Sequence, residues 1–237
     1  MPDQRTPHTT DESDAITATF MFADIAGFTA LTEAHGDEEA AKLVDDFCDA
    51  VNAELPAFSG SQVKAIGDAL MLRIPDPGMA VLLGLRIAHD LLQGHGAPAV
   101  RVGMHHGPAI ERAGDYIGSA VNIAARVSAA ATGGEVLLTA QTAAVASHVE
   151  GVLYESRGRQ TLRNLREPVE LVAAVRQGHA SERGLAIDPV CRMAVDPKRA
   201  AGRLVYDDAT YFFCTLTCAS AFAQAPHRFV SYFPRNN

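Results

Sequence analysis

The sequence has 237 residues, 48% of them hydrophobic, which is enough for one or two domains with a packed core. Its formal net charge of −8 disfavours nucleic acid as a partner. Residues 1–14 are polar, so we predict a disordered tail and no secretory signal. No run reaches the ~18 apolar residues of a membrane span. We therefore expect a cytoplasmic protein without a membrane segment.

The charge and the cysteines both change near residue 186. Residues 187–237 carry six basic and four acidic residues, whereas the rest of the chain is strongly acidic. Three of the four cysteines also fall in this last part. These shifts predict four segments, which are a tail over 1–14, a main domain over 15–177, a polar linker over 178–186 and a small module over 187–234.

The main domain reads as a mixture of strands and helices. Its first half predicts a strand over 16–23, a short helix within 24–36, a long helix over 37–58, a hairpin over 62–74 and a second long helix over 76–96. Its second half predicts a strand pair over 99–112 broken at Gly107-Pro108, a helix over 118–134, a strand over 135–139, a short helix over 142–149 and strands over 151–162 and 167–175. This order predicts an α+β fold on a ferredoxin-like βααββαβ core.

The small module shows a compact α+β pattern. Residues 203–213 predict a hairpin, and residues 214–225 predict a short helix that Pro226 stops.

Two aspartates mark strand ends in the main domain. Asp24 follows the first predicted strand, and Asp68 lies in the Gly67-Asp68 hairpin turn. Taken singly, Asp24 could cap a helix and Asp68 could be an ordinary turn residue. At neighbouring strand ends, however, the two carboxylates could hold a pair of hard divalent cations. Such pairs, about 3.5–4 Å apart, activate an attacking oxygen and stabilise a leaving phosphate oxygen.

Four segments follow one another along the main domain: FADIAGFTALTE, VKAIGDALM, RVGMHHG and DYIGSAVNIAARV. Together and in this order they resemble the class III nucleotidyl cyclase catalytic domain, and the resemblance covers roughly residues 16–176. It implies that Asp24, Asp68 and the backbone carbonyl of Ile25 bind two Mg²⁺ or Mn²⁺ ions per site. It also implies that Arg101 binds the substrate triphosphate.

The same resemblance assigns base-reading and transition-state residues. Lys64 and Asp115 match the positions that read adenine, which favours ATP over GTP. Asn122 and Arg126, four apart on one helix face, match residues that position the ribose and stabilise the transition-state phosphate. Family members often carry a triphosphate-binding lysine before the last strand, where this chain offers Arg163 or Arg166.

The resemblance implies an adenylate cyclase that converts ATP to 3′,5′-cyclic AMP and pyrophosphate. Its active sites would form between two copies of the chain in a head-to-tail homodimer. Two alternatives remain open: a guanylate cyclase, and a catalytically silent nucleotide-binding dimer with a metal-binding or docking role.

The C-terminal module contains the segments DPVCRMAVDP, YFFCTLTC and AFAQAPHRF. These segments resemble the YHS domain, a small relative of cysteine-based metal-binding modules. Cys191, Cys214 and Cys218 could converge on Zn²⁺ or Cu⁺, and such a module could modulate the cyclase. A closed zinc site needs a fourth ligand, for which Asp188 and His227 are candidates. The alternative is a small fold with buried cysteines and no metal.

Overall fold

The structure is a computed structural model that describes residues 15–92, 96–146, 149–177 and 186–230. The predicted tail over 1–14 and nearly all of the predicted linker over 178–186 lie outside these residues. The described chain forms one large sheet with helices on both faces and a small module of two hairpins and two helices.

The large sheet has eight strands in the order β2-β3-β1-β4-β6-β8-β7, with β5 paired to β4. Their bounds are β1 Ala15–Ile25, β2 Ser61–Ile66, β3 Ala69–Ile74, β4 Val100–Arg112, β5 Asp115–Ile117, β6 Val136–Thr139, β7 Val152–Gln160 and β8 Val169–Arg176. Every pairing is antiparallel except the parallel pair β4 and β6. The order β2-β3-β1-β4 is that of a ferredoxin-like sheet, so the predicted fold class is confirmed.

The helices of the main domain sandwich this sheet. They are α1 Phe28–His35, α2 Asp37–Glu54, α3 Pro77–Arg86, α4 Ser119–Ala130 and α5 Ala140–Ala146. The odd-numbered side chains of β1, such as Met21 and Ala23, join the main core beneath α2 and α3. The even-numbered side chains Ala18 and Phe20 pack instead beneath α4. None of the helices in the described ranges has both the length and the apolar character needed to cross a bilayer.

The predicted break at Gly107-Pro108 is wrong. β4 runs as one strand of 13 residues through both positions. It pairs with β1 along its length, from Ala15 opposite Ile110 to Ile25 opposite Val100. This continuous ladder overrides the local turn signal, and Pro108 is accommodated at an exposed position of the strand.

The predicted second long helix is shorter and less regular than expected. Asp76 caps α3, since its carboxylate accepts a hydrogen bond of 2.7 Å from the Met79 amide. After α3 the chain forms a π-helical turn over Ile87–Leu91. The end of the predicted helix, residues 93–95, lies outside the described residues.

One glycine lets α4 lie directly on the sheet. A Cβ built on Gly103 of β4 would fall 2.0 Å from the backbone nitrogen of Ser128 and 2.1 Å from its Cα. No other residue type could occupy this position without moving the helix. Gly103 therefore fixes the height of α4 above the sheet.

The C-terminal module consists of two hairpins and two helices, whose bounds are β9 Ala186–Ile187, β10 Ala194–Val195, β11 Gly202–Tyr206, β12 Ala209–Phe213, α6 Leu216–Gln224 and α7 Pro226–Val230. Asp207 and Asp208 both adopt positive φ, as a tight two-residue hairpin turn requires. The predicted hairpin is therefore present, and α6 ends just before Pro226 as predicted.

The module packs against the main domain through apolar side chains. Leu31 of α1 and Ala40 of α2 share one buried cluster with Phe213, Cys218 and Phe222 of the module. The backbone adds to this contact: the Gly96 amide donates to the Ala194 carbonyl at 2.8 Å, and the Ala194 amide donates to the Ala97 carbonyl at 2.8 Å. The module is thus joined to the segment that leads into β4.

Candidate active site

Asp24, Asp68 and Arg101 meet where three adjacent strands begin or end. Asp24 lies near the end of β1, directly opposite Ala69 of β3 and Arg101 of β4. Asp68 precedes Ala69 in the hairpin turn, where Gly67 adopts a φ of +63°. The Arg101 Nε donates a 2.6 Å hydrogen bond to Asp24 Oδ2. The sheet order thus brings together the three residues that the sequence placed apart.

The two carboxyl groups form a site suited to cations. Desolvation and a hydrogen-bonding contact with Asp24 raise the pKa of Asp68 to about 6. The two carboxylates also repel each other when both are ionised, and a divalent ion between them would offset that repulsion. Mg²⁺ and Mn²⁺ both prefer oxygen ligands of this kind. Ile25 follows Asp24 with its side chain 1% exposed in the core, so only its backbone carbonyl could join the site. The donor set therefore fits divalent cations.

Lys64 and Asp115 form an ion pair within one protomer. Lys64 Nζ donates to Asp115 Oδ2 at 2.6 Å, and both side chains are about two-fifths exposed, at 40% and 43%. The Tyr116 amide also donates to the other Asp115 oxygen at 2.8 Å. The Lys64 contact first, and then this amide, lower the pKa of Asp115. The pair presents one donor and one acceptor at an open surface.

The ion pair is brought together by the β4–β5 hairpin, which folds over the sheet. Tyr116 of β5 packs on Phe20, with ring centroids 5.4 Å apart, and Arg73 lies over the Tyr116 ring. Phe20 belongs to the sheet face that α4 covers. Lys64 is paired with Met71 of the same apolar cluster, so the ion pair lies on this face too.

The remaining predicted residues lie on α4 and on the turn that packs against it. Asn122 is exposed and Arg126 is half-buried on α4. The turn between β7 and β8 anchors Leu162 and Leu165 in the same apolar cluster as Val127 of α4. This packing leaves Arg163 and Arg166 exposed on the solvent side of the turn.

Two histidines of β4, His105 and His106, point to opposite faces of the sheet because side chains alternate along a strand. His105 Nδ1 is 2.8 Å from Thr139 Oγ1, and His106 Nδ1 is 3.0 Å from Thr19 Oγ1. His105 is only 6% exposed. Burial, reinforced by the neighbouring charge of His106, lowers the pKa of His105 to about 4.

The three module cysteines converge, and the residue that joins them was not predicted. The Sγ atoms of Cys191 and Cys214 are 3.3 Å apart, and those of Cys214 and Cys218 are 3.8 Å apart. His35, at the end of α1, places Nε2 3.6 Å from Cys214 Sγ. Cys48, by contrast, lies outside this group and is half-buried against the main core.

Neither predicted candidate for a fourth ligand belongs to this group. Asp188 is fully buried, and its Oδ1 accepts from the Val190 amide while its Oδ2 accepts from the Cys214 amide, both at 2.8 Å. Its carboxylate therefore holds together, by hydrogen bonds, the two loops that carry Cys191 and Cys214. His227 is exposed on α7, and in the described residues the clustered donors are His35 and the three cysteines. The sequence left the fourth ligand open between Asp188 and His227, and the folded chain instead brings His35 near the three cysteines.

Comparison with known proteins defines the two parts of the chain. Residues 10–172 match the adenylate and guanylate cyclase catalytic domain, and residues 186–232 match the YHS domain. Because the first match covers more than half of the chain, this protein belongs to the adenylate and guanylate cyclase family. The resemblance stated from the sequence is confirmed for both domains.

Several curated proteins are similar in the catalytic part. An uncharacterized protein of Mycobacterium tuberculosis is 40% identical over 135 residues, which are 55% of this chain and 35% of that protein. A pH-sensitive adenylate cyclase of the same species is 34% identical over 163 residues, 68% of this chain and 41% of that protein. An adenylate cyclase of Streptomyces griseus is 36% identical over 118 residues, 49% of this chain and 29% of that protein. The chain thus spans less than half the length of these curated relatives.

Solved structures share the fold. The adenylyl cyclase CyaB from P. aeruginosa aligns with a TM-score of 0.59 at 22% identity, covering 73% of this chain and 100% of that one. The guanylyl cyclase Cya2 aligns with a TM-score of 0.58 at 19% identity, covering 72% and 97%. At these identities the likeness concerns the fold and does not separate ATP from GTP.

Proposed function

We propose that this protein is an adenylate cyclase, which converts ATP to 3′,5′-cyclic AMP and pyrophosphate. The observation that carries the proposal is the meeting of Asp24 and Asp68 beside Arg101 at one edge of the sheet. The adenylate cyclases among its relatives support it. In the reaction the ribose 3′-oxygen forms a bond to the α-phosphorus, the bond to the β-phosphate oxygen breaks, and the hydroxyl proton is released.

Asp24, Asp68 and the carbonyl of Ile25 would hold two Mg²⁺ or Mn²⁺ ions. When bound, the ions lower the pKa of the attacking hydroxyl and neutralise charge on the phosphates. Arg101, now paired with Asp24, can turn its free donors to the triphosphate, and Arg163 or Arg166 can add a second cation at the β7–β8 turn. Asn122 would orient the ribose, and Arg126 would stabilise the charge that develops on the α-phosphate.

Lys64 and Asp115 favour ATP. Adenine presents an acceptor at N1 and a donor at its 6-amino group, which match a lysine donor and a carboxylate acceptor side by side. Guanine presents the reverse pattern at these two positions, so the same pair would oppose both of its groups. The 2.6 Å contact between Lys64 and Asp115 supports a role as one recognition unit.

A homodimer would complete each site, with the aspartates and Arg101 from one copy and the base-reading residues and α4 from its partner. Two exposed apolar side chains favour burial of this region: Ile66, beside Lys64 on the hairpin, is 52% exposed, and Ile117 of β5 is 57% exposed. A partner that covers this region would remove both side chains from water.

Complementation tests the proposal and the shared site together. Asp68→Ala and Asn122→Ala chains should each be inactive, because one lacks a cation ligand and the other lacks the ribose contact. Mixed in equal amounts, they should regain up to about a quarter of wild-type activity, since random pairing makes half the dimers mixed and each mixed dimer has one intact site. Cyclic AMP formation from ATP with Mn²⁺ is the readout.

Two matched controls accompany this experiment. Asp68→Ala mixed with Asp24→Ala should stay inactive, because both lesions then lie in the same half of the site. Wild-type-like activity of Asp68→Ala alone would refute the cation assignment. Absence of recovery in proven mixed dimers would refute the shared site, and binding of ATP without turnover by the wild type would favour the silent nucleotide-binding alternative.

A further inference from the structure

The cysteine cluster spans the boundary between the two domains. Cys191, Cys214 and Cys218 belong to the YHS domain, whereas His35 ends α1 of the catalytic domain, 179 residues before Cys214. All four candidate donor atoms lie within 4.8 Å of one another. A set of three thiols and one imidazole is a common ligand set of closed structural zinc sites.

The distances fit a tetrahedral ion. Zinc bonds of about 2.3 Å to sulfur and about 2.0–2.1 Å to nitrogen place two sulfur ligands roughly 3.8 Å apart and a sulfur and a nitrogen roughly 3.6 Å apart. The observed separations are 3.8 Å between Cys214 and Cys218 and 3.6 Å between Cys214 and His35. The 3.3 Å separation of the Cys191 and Cys214 sulfur atoms would need to open by about half an ångström.

The surrounding groups hold the thiols in place without competing for an ion. The carboxylate of Asp188 accepts from the backbone amides of both cysteine-bearing loops, at Val190 and Cys214. The Thr215 hydroxyl caps α6 by accepting from the Cys218 amide at 3.2 Å. Such a shell of hydrogen bonds around the ligands raises metal affinity because it orients them before the ion binds.

The same loop touches the segment that carries the catalytic aspartate. A Cβ on Gly27, which lies three residues after Asp24 and caps the N-terminal end of α1, would fall 2.6 Å from Cγ of Arg192. Arg192 follows Cys191 directly and adopts a φ of +68°. The two ends of α1 therefore both face the YHS domain, Gly27 at Arg192 and His35 at the cysteines.

We propose that zinc fastens the YHS domain to the catalytic domain through one shared Cys₃His site, whose ligands are His35, Cys191, Cys214 and Cys218. The ion would tie the C-terminal end of α1 to the module and so hold the loop from Asp24 to Gly27 against Arg192. An ion confined to the YHS domain could not do this, because none of its ligands would belong to α1.

The test uses the full-length chain, stripped of metal and kept reduced. Co²⁺ is titrated in as a spectroscopic probe, and Zn²⁺ then displaces it to give the zinc affinity. We expect one ion per chain, with the intense visible bands of tetrahedral thiolate coordination. His35→Gln should weaken zinc binding roughly 100-fold or more and change the Co²⁺ bands, because one of four ligands is lost.

Two variants serve as matched controls. His227→Gln changes the exposed histidine first considered as a ligand, and Cys48→Ser changes the cysteine outside the cluster, so both should bind Zn²⁺ as the wild type does. Wild-type affinity in His35→Gln, or weakening in His227→Gln, would overturn the shared site. So would failure of the wild type to bind either ion.

Hydrogen exchange tests the fastening separately from affinity and from cyclase activity. Zn²⁺ should slow amide exchange at least tenfold in α1, as well as within the YHS domain, in the wild type. In His35→Gln saturated with Zn²⁺, protection should remain in the YHS domain and disappear from α1. Equal protection of α1 in both proteins would contradict the proposal, and circular dichroism confirms that the variant is folded.

Discussion

His105 should make the stability of this protein depend on pH. Its imidazole is buried against Thr139 and its pKa falls to about 4, against 6.5 for an exposed histidine. Above pH 6.5 the ring is neutral in both the folded and the unfolded chain, so it adds no pH dependence. As the pH falls below 6.5, His105 becomes protonated in the unfolded chain but stays neutral in the folded chain. The free energy of unfolding therefore decreases.

The size of the effect follows from the difference between the two pKa values. The full loss, reached below pH 4, is about 3 kcal/mol, and about 2 kcal/mol of it should be present at pH 5 relative to pH 7.5. Asp68 works in the opposite direction, because its folded pKa is raised, so its contribution is gained as the pH falls. A variant at position 105 leaves that contribution unchanged and isolates the histidine.

Urea unfolding followed by circular dichroism at pH 7.5 and pH 5, at one protein concentration, measures this difference. His105→Gln removes the titrating ring, so its stability should change less between the two pH values, by about 2 kcal/mol, whatever its stability at pH 7.5. His227→Gln, an exposed control, should keep the wild-type pH dependence. If wild type and His105→Gln lose the same free energy, the buried neutral imidazole is not responsible and the reasoning is wrong.

Three further substitutions test the site and the packing around it. Lys64→Glu with Asp115→Cys should reduce kcat/KM for ATP relative to GTP, since it reverses the donor and acceptor pattern, and unchanged kinetics with ATP would remove both residues from base recognition. Gly103→Ala should lower the free energy of unfolding by about 1–3 kcal/mol through overpacking, and it should lower kcat because α4 must move away from the sheet. Wild-type stability in thermal unfolding would contradict the 2.0 Å contact expected between the new Cβ and the Ser128 nitrogen. Asp188→Asn should destabilise the YHS domain by about 1–3 kcal/mol, because one backbone amide then faces an amide donor, and a loss below about 0.5 kcal/mol in urea unfolding would show that the carboxylate is dispensable.

The sequence predicted the parts of the fold that local patterns control. The hairpin turning at Gly67-Asp68 and the helix beginning at Asp37 carry strong local signals, in the turn glycine and in the acids of the first turn. The meeting of Asp24 with Asp68 needed more than local pattern, because it depends on β3 pairing beside β1. The resemblance to the cyclase fold supplied that order.

Two features could not be found in this way. The Gly107-Pro108 pair carries a turn signal, but pairing with the whole of β1 outweighs it. His35 sits at the end of an ordinary amphipathic helix, and nothing nearby in the sequence distinguishes it from a solvent-facing residue. The residues around His35 depend on how the YHS domain packs on α1. His35 and Cys214 are 179 positions apart, and hydrophobic periodicity does not predict a contact over that separation.

The interface between the catalytic domain and the YHS domain matters for any attempt to separate them. Cutting the chain after residue 177 would bare Leu31 and Ala40 and would remove the backbone partner that Ala194 provides to Gly96 and Ala97. The remaining fragment would expose apolar side chains on α1 and α2 and would lose backbone hydrogen bonds just before β4, the strand that carries Arg101. Reduced turnover by such a fragment would therefore reflect damage to this interface and would not by itself show that the YHS domain activates the cyclase.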